Sequence, residues 1–137
     1  MSAGITRKRL KNYRKLMQEI AVLEYELDEM LKGSKGIGHS TILNGFYWPP
    51  KPEAVVGFEW DLFEHRKEIL VRKKEEAEAI RTWIDSIEDG QTRCVFRMFY
   101  IEGMTWVQIA KKIGYQGNED YPRLYIRDKY LKKCGIR

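Results

Sequence analysis

Residues 100–131 read YIEGMTWVQIAKKIGYQGNEDYPRLYIRDKYL and contain two helical patterns separated by a glycine turn. Thr105 is a good N-cap for the first helix. Its apolar stripe, at helical spacing, consists of Trp106, Ile109, Ala110 and Ile113. We expect Gly114 to end this helix and a second helix to run from about residues 118–120 towards Lys133. The pattern indicates a helix-turn-helix, in which the second helix keeps one face free for a DNA groove. Any two short amphipathic helices joined by a glycine turn share it, so a domain without DNA binding is the alternative.

The positive charge of the chain is concentrated in the same region. The 137 residues include 25 basic and 20 acidic residues, a net charge of +5. Residues 1–90 hold 15 basic and 16 acidic residues, whereas residues 91–137 hold 10 and 4, a net charge of +6. A localised basic surface favours nucleic acid because contacts to phosphates release counterions. A solvated basic tail is the alternative explanation.

The first part of the chain is expected to form two long helices. A basic tail at residues 7–15 merges into a helix of about six turns, which Gly33 ends. Its narrow stripe, which suits a coiled-coil seam, consists of Leu16, Ile20, Leu23, Leu27 and Met30. The second helix is expected over residues 52–87. Its apolar side consists of Leu62, Ile69, Leu70, Ala77, Ile80, Trp83, Ile84 and Ile87.

Residues 33–52 interrupt these patterns because they contain four glycines and three prolines. We expect a loop whose aromatic residues Phe46, Tyr47 and Trp48 fold back onto the helices. Two long amphipathic helices joined by such a loop form an antiparallel hairpin. The hairpin alone has too little core, so it packs on the C-terminal domain or pairs with a second copy, and we predict a homo-oligomer, most simply a dimer.

A third helix of the basic domain is expected over residues 91–101. Its apolar positions are Val95, Met98, Phe99 and Ile101, and Gly103 closes it. Cys94 lies in this apolar run and is expected to be a small buried core residue. The fold class is therefore all-α, with a helical hairpin at residues 1–88 and a helix-turn-helix domain at residues 89–137.

Residues 93–115, RCVFRMFYIEGMTWVQIAKKIGY, resemble the C-terminal part of phage late-transcription regulators of the RinA and ArpU type. These regulators are similar to region 4 of bacterial sigma factors, in which an arginine-rich helix, Tyr-Ile-x-Gly, a Thr or Ser cap, Trp and Ile-Ala precede the recognition helix. The resemblance is close over about 40 residues. It implies a sigma-region-4-like domain that binds promoter DNA and activates transcription by the host RNA polymerase, without catalysis. Arg123 stands where that pattern has an apolar residue.

The helical wheel of the second helix selects candidate DNA contacts. If Ile126, Tyr130, Leu131 and Cys134 face the core, then Tyr121, Tyr125, Asp128, Lys129 and Lys132 lie opposite. Tyr121 and Tyr125 are then best placed for base edges, and Lys129 and Lys132 for phosphates. Arg123 and Arg127 flank the core and can reach the backbone or a guanine. The remaining candidates are Thr105 and Gln108, at the start of the preceding helix, and Asn118, in the turn.

Other chemistry has little support in the sequence. His39 and His65 are 26 residues apart without cysteine or paired carboxylates at ligand spacing, so no metal site is predicted. No carboxylate is combined with a nucleophile in a catalytic pattern, so we predict no enzymatic activity and no cofactor. The two cysteines, and the lack of a signal peptide or membrane-length apolar run, favour the reducing cytoplasm, here that of a bacterial host cell.

The favoured hypothesis is a sequence-specific transcription regulator that binds double-stranded DNA, activates phage late genes and acts with host RNA polymerase. One alternative is the small, DNA-recognising subunit of a phage packaging machine, which also combines a helix-turn-helix with long oligomerising helices. Such subunits usually place the DNA-binding part first, the reverse of the order here. Another alternative is a protein-interaction module that docks on polymerase without reading DNA.

Overall fold

The computed structural model describes residues 4–33 and 59–137, and the regular secondary structure in these residues is all helical. The predicted all-α class is confirmed there. The α-helices are α1 Arg7–Lys11, α2 Tyr13–Lys32, α3 Trp60–Asp85, α4 Gly90–Phe96, α5 Trp106–Lys112 and α6 Lys129–Lys133. Wider π-type turns at Arg97–Ile101 and Tyr121–Asp128 follow α4 and precede α6. We call residues 121–133 the C-terminal helix. The predicted loop with Phe46, Tyr47 and Trp48, and the predicted start of the second long helix, lie outside the described residues.

The chain divides into two compact units. One, which we call the terminal unit, comprises Met1–Met17 and Glu75–Arg137, and the other, the middle unit, comprises Gln18–Lys74. This division differs from the boundary expected at residue 88. The N-terminal residues and the end of α3 belong to the terminal unit because their apolar side chains are buried within it, Leu10 and Ile84 completely.

The middle unit contains most of α2 and the larger part of α3. Its buried side chains are Ile20, Leu27, Leu31, Phe63 and Leu70. Lys73 Nζ lies 2.9 Å from Glu19 Oε1, and Lys74 Nζ lies 2.8 Å from Glu24 Oε2. Two ion pairs therefore connect α2 to α3 within this unit, and both helices contribute buried apolar side chains to it.

One cluster in the core of the terminal unit takes one aliphatic residue from each of three helices. Val95 of α4, Ile109 of α5 and Ile126 of the C-terminal helix form a buried cluster. Trp83 at the end of α3 adds an aromatic group, with its ring centre 5.9 Å from Phe96 and 6.1 Å from Tyr130. Burial raises the pKa of Tyr130 to about 12, and a hydrogen bond with Cys134 acts in the same direction. Tyr130 is therefore a neutral part of this aromatic packing near pH 7.

Two expectations about the terminal unit are wrong. Residues 7–15 are not a tail, because α1 and the start of α2 bury Leu10 and Tyr13. Cys94 is exposed rather than buried. The reason is that α4 directs Val95 and Phe96 inward, and this leaves the preceding residue on the solvent side.

Candidate nucleic-acid interface

The start of α5 is fixed by a reciprocal pair of hydrogen bonds. The backbone N–H of Gln108 donates to Thr105 Oγ1 at 3.2 Å, and the backbone N–H of Thr105 donates to Gln108 Oε1 at 3.0 Å. This capping box confirms the predicted N-cap. Both side chains are exposed, and each uses an acceptor oxygen in the box. The Thr105 hydroxyl proton and the Gln108 NH₂ group therefore remain as donors, which is the polarity that an anion requires.

Gly114 ends α5 as predicted. Its φ of 90° lies in the left-handed region, which glycine adopts without steric cost. The N–H of Tyr115 then donates to the carbonyl of Ala110 at 2.8 Å and closes the helix end. The turn that follows has the exposed Asn118, whose Oδ1 accepts from the N–H of Tyr121 at 3.2 Å. Asn118 thus holds the N–H of the first residue of the C-terminal helix through the same side-chain oxygen that a DNA contact would use.

Tyr121 does not occupy the fully exposed position expected for it. Its ring stacks on that of Tyr115, with centres 3.9 Å apart and planes at 17°, and it also packs against the cluster of Val95, Ile109 and Ile126. A hydrogen bond with Tyr121 raises the pKa of Tyr115. The Tyr115 phenol is therefore neutral near pH 7. The wheel placed Tyr121 opposite the core because it assumed α-helical spacing, whereas this turn is π-helical and wider.

Arg127 lies largely inside the terminal unit, with 16% of its side chain exposed. Its Cζ lies 4.9 Å from the Trp106 ring centre and 5.4 Å from the Phe99 ring centre. Those two rings stack on each other, with centres 4.1 Å apart. The Arg127 Nε also donates to Asp128 Oδ1 at 2.8 Å. In this arrangement Arg127 fastens the C-terminal helix to the helices before it.

Arg123 is more accessible and is engaged by a neighbouring carboxylate. Its Nη2 donates to Asp120 Oδ1 at 2.6 Å, and 39% of its side chain is exposed. An exposed pair three residues apart on one helix contributes little to stability. A phosphate or a guanine can therefore replace Asp120 as the partner of Arg123 at small cost.

The exposed side of the C-terminal helix carries Tyr125, Lys129 and Lys132, which we call the Tyr125 face. Tyr125 is 65% exposed, and both lysines are exposed. Neither lysine has an ion-pair partner among residues 4–33 and 59–137. Spacings of four and three residues place the three side chains on one side of the helix. Tyr125 offers a phenol hydroxyl, and Lys129 and Lys132 offer ammonium groups without an ion-pair partner. These groups suit a polyanion that also has flat edges with hydrogen-bonding atoms.

An open groove of about 970 Å³ lies beside this face. Its lining includes Tyr125 and Lys129 of this face, and also Lys133, Glu88 and Asp89. The Asp89 carboxylate accepts from the N–H and the hydroxyl of Thr92, at 2.9 and 2.8 Å, and these bonds lower its pKa. Because these carboxylates repel phosphate, we do not assign the groove to a nucleic-acid backbone.

Two features are absent from the residues that the structure describes, a metal-binding cluster and a membrane-spanning helix. No group of three or more histidine, cysteine or acidic side chains is arranged to hold a metal ion in this part of the chain. Between residues 4 and 33 and between 59 and 137, no helix is apolar over the length needed to cross a bilayer.

Comparison with known proteins adds no assignment. The chain matches no family model, no curated protein and no solved structure.

The structure also contains side-chain contacts between distant residues that no pattern in the sequence predicts. The contacts of Arg127 with Trp106 and Phe99 join residues 21 and 28 positions apart in the chain, so no local pattern indicates them. The ion pair of Arg7 with Asp128, at 3.2 Å, spans 121 positions. The sequence gives one indication of this ion pair. Residues 1–17 include no acidic residue, so the cations of this segment can find a carboxylate only in a more distant part of the chain.

Proposed function

We propose that this chain is a sequence-specific regulator of transcription that binds double-stranded DNA, of the kind that activates phage late genes with host RNA polymerase. The observation that carries the proposal is the Tyr125 face. Its three side chains project from the C-terminal helix, which follows the capped helix α5 and packs with it on a common cluster of Val95, Ile109 and Ile126. An exposed face of this kind, on the second helix of a helix-turn-helix, is the part that enters the major groove.

In the proposed complex the exposed side chains have different tasks. Tyr125 meets base edges, and Lys129 and Lys132 contact phosphates, because an ammonium group is a point charge without a preferred base. Arg123 exchanges Asp120 for DNA. Thr105 and Gln108 offer their remaining donors to a phosphate at the start of α5. Arg127 contributes indirectly, because its contacts with Trp106 and Phe99 set the angle of the C-terminal helix.

The resemblance of residues 93–115 to sigma region 4 supports a role in transcription. Its Thr, Trp and Ile-Ala elements correspond to Thr105, Trp106 and the buried pair Ile109 and Ala110. The proposal therefore includes a sigma-region-4-like domain and contact with polymerase, and it includes no catalytic step.

We further propose that α2 and α3 form an antiparallel hairpin through which the chain self-associates. The ion pairs Glu19–Lys73 and Glu24–Lys74 support the pairing of the two helices. Val22 and Tyr25 of α2 are 56% and 66% exposed, and a second copy is the partner that would cover them. A two-fold dimer also presents two reading helices, as palindromic operators require.

Footprinting on the genome that encodes the chain, combined with titration of the recovered site, tests the proposal. The double variant Lys129→Gln, Lys132→Gln should weaken binding and reduce its salt dependence, whereas Tyr125→Ala should reduce the preference for that site over random DNA. Lys32→Gln, Arg72→Gln removes the same charge from the middle unit and should leave DNA binding unchanged. Equal affinity of the wild type for the site and for random DNA would contradict sequence-specific binding. Polymerase binding without DNA binding would favour a docking module.

A further inference from the structure

The N-terminal segment of the terminal unit is a folded basic helix. Thr6 caps α1 by accepting from the N–H of Arg9 at 3.1 Å. Ile5, Leu10 and Tyr13 are buried, at 3%, 0% and 3% exposure. The segment therefore has a fixed inner side, and its remaining side chains have defined positions relative to the rest of the terminal unit.

The arginines of this segment make contacts within the terminal unit. Arg7 Nη2 donates to Asp128 Oδ1 at 3.2 Å. Arg9 makes two bonds to the carboxylate of Glu76, both 2.7 Å. The Arg14 guanidinium lies so close to Gly103 that an added Cβ would overlap it. These three contacts reach the C-terminal helix, α3 and the turn before α5, so the segment is held at several points.

The lysines of the same segment are exposed and have no ion-pair partner. Lys8, Lys11 and Lys15 are all exposed. None has an ion-pair partner within the described ranges 4–33 and 59–137. Their spacings of three and four residues place them along one side of a helical path of about 10 Å. Residues 1–17 include six basic and no acidic residues, so no local carboxylate offsets their field.

The terminal unit as a whole gathers the positive charge of the chain. Residues 1–17 and 75–137 together hold 17 basic and 10 acidic residues, a net charge of +7, whereas residues 18–74 hold 8 and 10, a net charge of −2. Exposed cations therefore come from both ends of the sequence within a single compact unit. Arg7 pairs with Asp128, so α1 contacts the C-terminal helix, which carries the Tyr125 face.

We propose that Lys8, Lys11 and Lys15 form a second DNA-contacting surface, which binds the phosphate backbone beside the site read by the C-terminal helix. The inference rests on the proposed function. Lysine suits this task because its compact charge binds phosphate without base preference. The surface therefore adds affinity and salt dependence and contributes nothing directly to sequence discrimination. The buried side chains of Ile5, Leu10 and Tyr13 fix this surface within the same compact unit as the Tyr125 face.

The test compares three full-length proteins on a recovered binding site and on random DNA over a range of salt concentrations. The variant Lys8→Gln, Lys11→Gln, Lys15→Gln removes the surface and preserves helix propensity, because glutamine and lysine are similar helix formers. The control Lys32→Gln, Lys51→Gln, Arg72→Gln removes three cations from the residues of the middle unit and keeps the Glu24–Lys74 ion pair. Thermal unfolding verifies that each protein is folded.

We expect the N-terminal variant to lower the slope of log K against log salt by about 2 to 3, since each neutralised phosphate contributes about 0.9. Between 50 and 200 mM salt the wild type should then lose roughly 40-fold more affinity than this variant. The ratio of specific to random binding should stay the same in both proteins. The control should keep the wild-type slope.

Three results separate the two proposals. If the wild type binds its site and the N-terminal variant keeps the full slope, the second surface is wrong and the proposed function stands. If the control lowers the slope equally, general charge explains the effect and the inference fails. If the wild type does not bind DNA but binds anionic lipid vesicles through the same three lysines, both proposals are overturned in favour of a membrane surface.

Discussion

The guanidinium carbon of Arg127 lies 4.9 Å from the centre of the Trp106 ring, which is itself stacked on Phe99. This contact joins the C-terminal helix to the first turn of α5. A cation over a desolvated aromatic face contributes about 1–2 kcal/mol. Arg127 therefore helps to hold the C-terminal helix in place, although its charge made it a candidate for direct contact with DNA.

Replacement of Arg127 by alanine should lower the free energy of unfolding by about 1–3 kcal/mol, because the variant loses the ring contacts and the packing of the side-chain stem. Urea unfolding measures the change. Arg127→Lys keeps the charge but not the planar stack, so it should recover only part of the loss.

Arg123→Ala is the matched control, since it removes an arginine from the same helix. Its exposed pair with Asp120 should contribute about 0–1 kcal/mol. Equal destabilisation by the two alanine variants would show that the ring contacts of Arg127 are not the cause.

The capping box of α5 gives a second prediction. Thr105→Ala should destabilise the protein by about 1 kcal/mol, because the N–H of Gln108 loses its acceptor. Thr105→Ser retains the oxygen and should be close to wild type. The measurement is the unfolding free energy of these two variants, of Gln108→Ala, and of the double variant that carries both Thr105→Ala and Gln108→Ala. If the losses of the two single alanine variants simply add, the two hydrogen bonds do not cooperate.

The parts of the fold predicted correctly are those encoded by neighbouring residues. The cap at Thr105, the stop at Gly114 and the buried pair Ile109 and Ala110 each depend on spacings within one short helix. Local backbone sterics and one hydrogen-bonding side chain determine such features, so sequence patterns detect them.

The parts that the sequence did not predict depend on distant residues or on a change of helix geometry. Tyr100 is buried although it lies outside the predicted stripe, because π-type turns from Arg97 change the angle between successive side chains. Tyr121 moves towards the core for the same reason. Phe96 is buried by distant aromatic partners, Trp83 and Tyr130, which no local pattern indicates. The N-terminal segment was interpreted as a tail because its charge is evident in sequence, whereas its partners, Glu76 and Asp128, are not.

Asp89 predicts a pH dependence. Hydrogen bonds from Thr92 lower the pKa of Asp89. Its stabilising effect is therefore fully present above its ordinary pKa of about 3.9, and is lost as the pH falls through the lower value of the folded protein. Asp89 is the N-cap of α4, and its side chain accepts a hydrogen bond from the N–H of Thr92. Asp89→Asn keeps an acceptor oxygen at this position but removes the charge. Its melting temperature should lie below that of the wild type near pH 7, and the difference should shrink below about pH 4. A constant difference at every pH would exclude the carboxylate charge as the cause.

The exposed apolar residues of α2 give a prediction about self-association. Val22 and Tyr25 are three residues apart on one helix, at 56% and 66% exposure, and a dimer through the middle unit would cover them. Val22→Glu, Tyr25→Glu should convert the protein to a monomer in size-exclusion chromatography with light scattering, because four carboxylates would then meet in the two-fold interface. Val107→Glu alters an equally exposed valine of α5 and should keep the wild-type mass. The same mass for all three proteins would exclude this face of α2 as the interface.

A monomeric double variant should also bind DNA more weakly at low protein concentration, because in the proposed complex only a dimer places two C-terminal helices on one operator.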